Sequence, residues 1–222
     1  MIYWLMKIIL YIPFSILFPC IMKGKKKIPK GKAIVVCNHK SNVDYIYIWN
    51  RIWRKQFVLS KDSLYKNWLT RWFFKSNGGI AVNRDKVGIS TIKESIAVLK
   101  KDKILTIFPE GTRNKTNEPL LEFKAGASVF AVKTNAPVIP MFILKKGGFF
   151  KFNKVLVGEP IYFDETFKGE DGTLKANEII REKMLALKDK YYNRKKSNKW
   201  EGWILLHQNV LQIILELIYY KE

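Results

Sequence analysis

The residues best equipped for chemistry are His39 and Asp44, in the stretch Asn38-His39-Lys40-Ser41-Asn42-Val43-Asp44. A histidine accepts a proton near neutral pH, and a carboxylate beside it decides which ring nitrogen is free to do so. Five residues along a regular helix turn the chain through about 140°, so the two cannot share a helix face. They meet if His39 sits in a turn and Asp44 in the first turn of the helix that follows. That pairing is the base and orienter of the serine-protease arrangement without a protein nucleophile, and the attacking group would be a hydroxyl of the substrate. Ser41-x-x-Asp44 also fits a capping box, in which Asp44 serves the helix N-terminus, and the two roles are compatible.

Two further loops carry candidate ligands. Pro109-Glu110-Gly111-Thr112-Arg113 is a sharp turn that projects Glu110, Thr112 and Arg113, and the planar fork of Arg113 suits a phosphate. Gly78-Gly79-Ile80-Ala81-Val82-Asn83-Arg84 ends in a second arginine. A serine hydrolase needs a Gly-x-Ser-x-Gly elbow, whereas Gly88-x-Ser90 runs on into Thr91-Ile92. The chain has two histidines in all, too few for a His-rich metal site. Its two cysteines, Cys20 in an apolar segment and Cys37 in a strand, offer neither a disulfide framework nor a thiolate metal site, which suits a reducing, cytosol-facing location.

The elements that must hold these loops alternate in type. Ala33 to Cys37, Phe57 to Leu59, Gly79 to Val82, Ile104 to Phe108 and Val138 to Leu144 read as strands. Helical patterns cover Val43 to Trp53, Leu64 to Lys75, Val87 to Leu99, Ala125 to Lys133 and Leu174 to Tyr192. This predicts an α/β fold, a single domain over residues 23–195 with a largely parallel mixed sheet flanked by helices. In such folds the functional loops leave the strand ends.

Both ends of the chain are apolar. Residues 1–22 carry one charge, Lys7, and are interrupted by Pro13 and Pro19, so two short interfacial helices compete with one spanning segment. No small-x-small cleavage site marks a secretory signal. Six lysines from Lys23 to Lys32 follow, a cluster that attracts an anionic leaflet and would place the domain on the cytoplasmic side. Residues 196–222 form an apolar helix with Gln208, Gln212 and Glu216 as a narrow polar stripe; it either lies in the interface or packs on protein, and His207 reads as a helix-surface residue. Forty Lys and Arg against nineteen Asp and Glu give a formal charge of +21, which implies an anionic partner. Nucleic acid is the less favoured partner, because the aromatics sit chiefly in apolar helices.

Taken together, the loops resemble the glycerolipid acyltransferase family that contains the 1-acylglycerol-3-phosphate acyltransferases. His39 and Asp44 match its His-x4-Asp block, Gly78-x-Ile80-x-Val82-x-Arg84 its second block, Phe108 to Arg113 its Phe-Pro-Glu-Gly-Thr-Arg block, and Ala136-Pro137-Val138-Ile139-Pro140 its fourth. The resemblance covers roughly residues 30 to 160, and the departures, such as Ala136 for a larger aliphatic residue, touch no catalytic atom.

The resemblance implies that His39 is the general base and Asp44 its orienter, with Arg84, Glu110, Gly111, Thr112 and Arg113 binding the glycerol phosphate. The acyl donor would be acyl-CoA or acyl carrier protein, and the acceptor 1-acylglycerol-3-phosphate (lysophosphatidic acid), giving phosphatidic acid for phospholipid synthesis; another glycerolipid or lysophospholipid acceptor is the alternative. No cofactor is needed for transfer from a thioester. The expected setting is a membrane surface with the catalytic domain facing the cytoplasm.

Overall fold

A computed structural model describes residues 2–83 and 87–219, with side chains described through residue 195. By packing, the chain divides into Met1–Leu187, which contains the sheet and the candidate site, and Lys188–Glu222.

The sheet has seven strands in the order β1-β7-β6-β2-β5-β3-β4. They are β1 (Cys20–Lys23), β2 (Ala33–Cys37), β3 (Gln56–Lys61), β4 (Gly79–Val82), β5 (Ile104–Ile107), β6 (Val138–Ile143) and β7 (Asn153–Val157). Every pairing is parallel except β6 with β7. The central strands β2, β5 and β6 are buried along their whole length, as expected for continuous apolar runs covered on both faces.

Among the described residues the α-helices are α1 (Ile2–Leu17), α2 (Asp44–Arg51), α3 (Trp68–Ser76), α4 (Ile89–Lys100), α5 (Gly126–Thr134) and α6 (Gly169–Tyr219). The α/β architecture and mostly parallel sheet are those expected from the alternating pattern. Two strands were not foreseen. β1 lies within the apolar N-terminal run and pairs with β7, each being only four or five residues long.

Several boundaries also differ, among them the helix read as Leu174 to Tyr192, which is found as Gly169–Tyr219. The stretch read as one helix from Leu64 begins as a 3-10 turn over Asp62–Tyr65; α3 then starts where the Asn67 side chain accepts from the Leu69 amide at 2.8 Å, an N-cap. The N-terminal segment forms one helix with Pro13 inside it and stops two residues before Pro19. Among the described residues no helix is long and apolar enough to cross a membrane. The C-terminal segment is helical to Tyr219, while its side chains from 196 onward, His207 included, lie outside the described residues.

The core cluster packs β2, β6 and β7 side chains with Phe18, Tyr47, Ile48 and Ile52, so α2 is anchored on the sheet directly beside the first candidate loop. Because β2, β5, β3 and β4 run parallel, their C-terminal ends face one way, and β2 and β5 are immediate neighbours. The loops after these two strands are therefore forced together.

Candidate active site

His39 follows β2 by one residue beyond Asn38, and Asp44 opens α2. The His39 Nδ1 lies 3.0 Å from Asp44 Oδ2. Since a carboxylate accepts, Nδ1 carries the proton and Nε2 is left as the acceptor nitrogen. Asp44 is fully buried and takes three more hydrogen bonds: the Lys40 and Ser41 amides donate to Oδ2 at 2.6 and 2.7 Å, and the Ser41 hydroxyl donates to Oδ1 at 2.7 Å. All four bonds come from residues ahead of α2, whose N-cap is Val43 without a side-chain hydrogen bond, so Asp44 braces the loop after β2 and faces the imidazole and does not cap the amides of its own helix.

The imidazole is held from other sides as well. Its ring stacks on Phe108 with centroids 4.3 Å apart and planes 25° from parallel. The Asn114 amide donates to the His39 carbonyl at 2.7 Å, tying the loop after β5 to the loop after β2. Asn38 clamps β6: its amide group donates to the Ile143 carbonyl at 3.0 Å and its oxygen accepts from the Ile143 amide at 2.7 Å. The side chain of His39 keeps 13% exposure, enough for a ligand to reach it.

Glu110 is only 3% exposed. Its two oxygens accept from the His39 amide at 2.8 Å and the Leu121 amide at 3.0 Å, so it joins both loops through their backbones. Burial pushes its carboxyl above the usual carboxylate range, partly offset by the amides of Leu121 and His39. Gly111 adopts φ 64°, and a Cβ there would come within 2.9 Å of the Lys124 side chain, so glycine allows both the left-handed turn and the lysine's close approach. Cys37, at the end of β2, has its thiol pushed well up by burial and is no nucleophile.

A cavity of about 600 Å³ begins at His39 and is walled mostly by apolar side chains: Leu10 and Phe14 of α1, Ile46 and Trp49 of α2, Val58 of β3, Phe73 and Phe74 of α3, and Phe130 of α5. Arg113, Gly111 and Lys124 also line it, so one cavity joins cationic groups, the imidazole and an acyl-sized apolar space. Thr112 is exposed, and neither it nor Glu110 lines the cavity. Arg84 lies outside the described residues. Among the described residues no cluster of three or more metal-ligating side chains occurs.

The sequence reading did not single out Asn38, Phe108 as a stacking partner, or Lys124. Asn38 and Phe108 adjoin motif residues and could have been suspected on that ground. Lys124 is separated from the motif by the loop it folds back across and had no local signal.

A family model described as Acyltransferase matches residues 20–144. A 1-acyl-sn-glycerol-3-phosphate acyltransferase of Bacillus subtilis (strain 168) is 32% identical over 150 residues, 63% of this chain and 72% of that protein. Proteins of the same name match from Helicobacter pylori (strain J99), 36% identical over 51% of this chain, and from Cocos nucifera, 36% identical over 50% of it. Those two alignments span 49% and 37% of the respective proteins' length. The crystal structure of the 1-acyl-sn-glycerophosphate (LPA) acyltransferase PlsC from Thermotoga maritima superposes with a TM-score of 0.61 over 79% of this chain and 72% of that one. At 24% identity, that likeness bears on the fold.

Proposed function

Because this chain belongs to the acyltransferase family, we propose that it transfers a fatty acyl group from a thioester donor to the sn-2 hydroxyl of 1-acylglycerol-3-phosphate. The observation that carries this reading is the His39–Asp44 dyad at one end of an apolar cavity that also holds Arg113 and Lys124. A phosphorylated glycerol with one acyl chain has the same three parts: an anionic head, a hydroxyl and a hydrocarbon tail.

In the proposed reaction, His39 Nε2 takes the proton of the acceptor hydroxyl as its oxygen attacks the thioester carbonyl carbon. The new C–O bond forms, the tetrahedral intermediate collapses with cleavage of the C–S bond, and the imidazolium returns its proton to the leaving thiolate. Asp44 fixes the imidazole tautomer and stabilises the transient imidazolium. Arg113 and Gly111, which line the cavity, bind the glycerol phosphate, with Thr112 and Arg84 assigned to the same role by their places in the motifs alone. Glu110 acts as a positioning residue, through the two loops it joins. Acyl-CoA and acyl carrier protein are both anionic and both suit the basic surface.

A membrane setting accompanies the reaction. Ile2, Leu5, Ile9, Ile12 and Ile16 are exposed along α1 at alternating steps of three and four, a continuous apolar stripe suited to lying in a lipid interface. The cytoplasmic side is favoured by the lysines after α1.

The test is thiol release from acyl-CoA, and separately from acyl carrier protein, with and without 1-acylglycerol-3-phosphate, comparing wild type with His39→Ala. Acceptor-dependent release that falls by at least about a thousandfold in the variant, with thermal unfolding unchanged, is expected. Release that ignores the acceptor, or persists in the variant, sinks the reading.

A further inference from the structure

The loop between β6 and β7 reads Leu144-Lys145-Lys146-Gly147-Gly148-Phe149-Phe150-Lys151-Phe152. Three of its aromatic rings face solvent, with Phe149 66%, Phe150 69% and Phe152 47% exposed. Large apolar groups on a short surface loop are costly unless something covers them. Lys145, Lys146 and Lys151 are exposed among them, and no acidic residue occurs from Phe123 to Gly158.

The loop is held in this presentation. Phe150 adopts φ 56°, a left-handed conformation that disfavours an aromatic residue and persists only where surrounding contacts impose it. Its amide donates to the Leu17 carbonyl at the end of α1 at 2.7 Å. The Phe149 ring lies 5.1 Å from that of Phe18, and the Tyr47 hydroxyl receives the Gly148 amide. At Gly147 a Cβ would come within 2.7 Å of Ser41 Oγ, Tyr47 and Val43, so the loop packs against the turn that holds Asp44. The exposed rings therefore sit on backbone fixed both to the end of α1 and to the turn that holds Asp44.

We infer that the loop Lys145–Phe152 is a membrane-docking element that inserts Phe149, Phe150 and Phe152 into an anionic lipid bilayer while its lysines meet the headgroups. Alternating aromatic and cationic side chains match that boundary, with apolar rings below the headgroups and ammonium groups at their level. Together with α1 the loop would hold the catalytic turn at the lipid surface. This deepens the membrane setting of the proposed acyl transfer and rests on that reading for its purpose, but not for its test.

The experiment is partitioning of the full-length protein onto vesicles of phosphatidylcholine alone and of phosphatidylcholine with phosphatidylglycerol. Phe149→Ser with Phe150→Ser is expected to weaken binding about tenfold or more on both compositions. Lys145→Gln with Lys146→Gln weakens it on the anionic vesicles only, by about fivefold per lysine. Phe150→Gly guards against misfolding: glycine accepts the positive φ, so thermal stability is kept or raised while binding still falls. Binding by all three variants equal to wild type overturns the proposal. So does a serine variant that binds vesicles normally but loses self-association without lipid, which would make the loop a contact between copies. Turnover of a water-soluble short-chain acceptor is expected to be unchanged in these variants. If wild type binds vesicles through the loop yet turns over no acceptor, the docking stands and the proposed reaction falls.

Discussion

Both ends of α2 carry a buried ionisable side chain, and the two are held in opposite ways. At the N-terminus Asp44 belongs to the helix itself and takes its four hydrogen bonds from residues three to five positions upstream. At the C-terminus the ammonium of Lys7 arrives from α1, donating to the Trp49 carbonyl and, at 2.7 Å, to the Ile52 carbonyl, 45 residues away in sequence. Both charges suit the helix dipole, negative at the N-terminus and positive at the C-terminus. The difference is one of dependence. The carboxylate at the N-terminal end is held by its own turn, while the ammonium at the other end is in place only if α1 is docked.

The sharpest way to break the contrast is at the local end. Asp44→Asn keeps the shape but places an amide NH2 where an oxygen accepted from Lys40, Ser41 or His39. The imidazole loses its fixed tautomer, and kcat is expected to fall by about a hundredfold to ten-thousandfold, measured by steady-state thiol release. A drop of less than about tenfold would make Asp44 a brace for the loop after β2 and little more.

Glu110 extends the same local assembly to the neighbouring strand. Glu110→Gln leaves one of the two backbone donors, His39 or Leu121, facing another donor in a buried site. The expected cost is about 1–3 kcal/mol in denaturant unfolding, with a smaller loss of turnover than for Asp44→Asn. An unchanged unfolding midpoint would show that the loops after β2 and β5 do not need this brace.

These two residues also mark how far the sequence could be read. His39, Asp44 and Ser41 lie within six positions of one another, so spacing and helix geometry were enough to bring them together. Glu110 read as a polar group projecting from a turn; its carboxylate instead meets the His39 amide across 71 positions of chain, a contact that exists only because β2 and β5 are adjacent. The central strands were legible because burial on both faces makes them continuously apolar. β1 was not, since Cys20–Lys23 has no pattern that separates it from the apolar helix before it and is a strand by virtue of pairing with β7. Lys7 read as an interruption of an apolar run, and nothing local discloses that it caps a helix.

At the far end the expected effect is on pH dependence. Burial, reinforced by repulsion from Lys25, holds the Lys7 ammonium down to about 7 against its ordinary 10.5. Between those values the unfolded chain carries a proton that the folded chain lacks, so stability rises with pH across that window and levels off below it. Lys7→Met removes the titrating group and should flatten this rise, compared by urea unfolding at about pH 7 and about pH 9. A variant that keeps the wild-type slope would assign it elsewhere, though not to Tyr3, whose hydroxyl burial raises to about 12 and which would make stability fall with pH.

Between the two ends stands Tyr45, one residue after Asp44, and it supplies the smallest expected effect. Its hydroxyl is buried and finds no hydrogen-bond partner among the described residues, although the ring lines the cavity. Burial keeps the phenol protonated, its pKa pushed well above the ordinary value. An unpartnered buried hydroxyl contributes nothing and costs its desolvation, so Tyr45→Phe should leave stability unchanged or raise it by up to about 1 kcal/mol. Turnover should also change little, since the dyad one residue away draws on no atom of Tyr45. A loss of stability above about 1 kcal/mol would mean that an ordered water satisfies the hydroxyl. A loss of turnover without a loss of stability would mean that the partner is the lipid itself, and the apolar wall would then contain one polar contact for the bound chain.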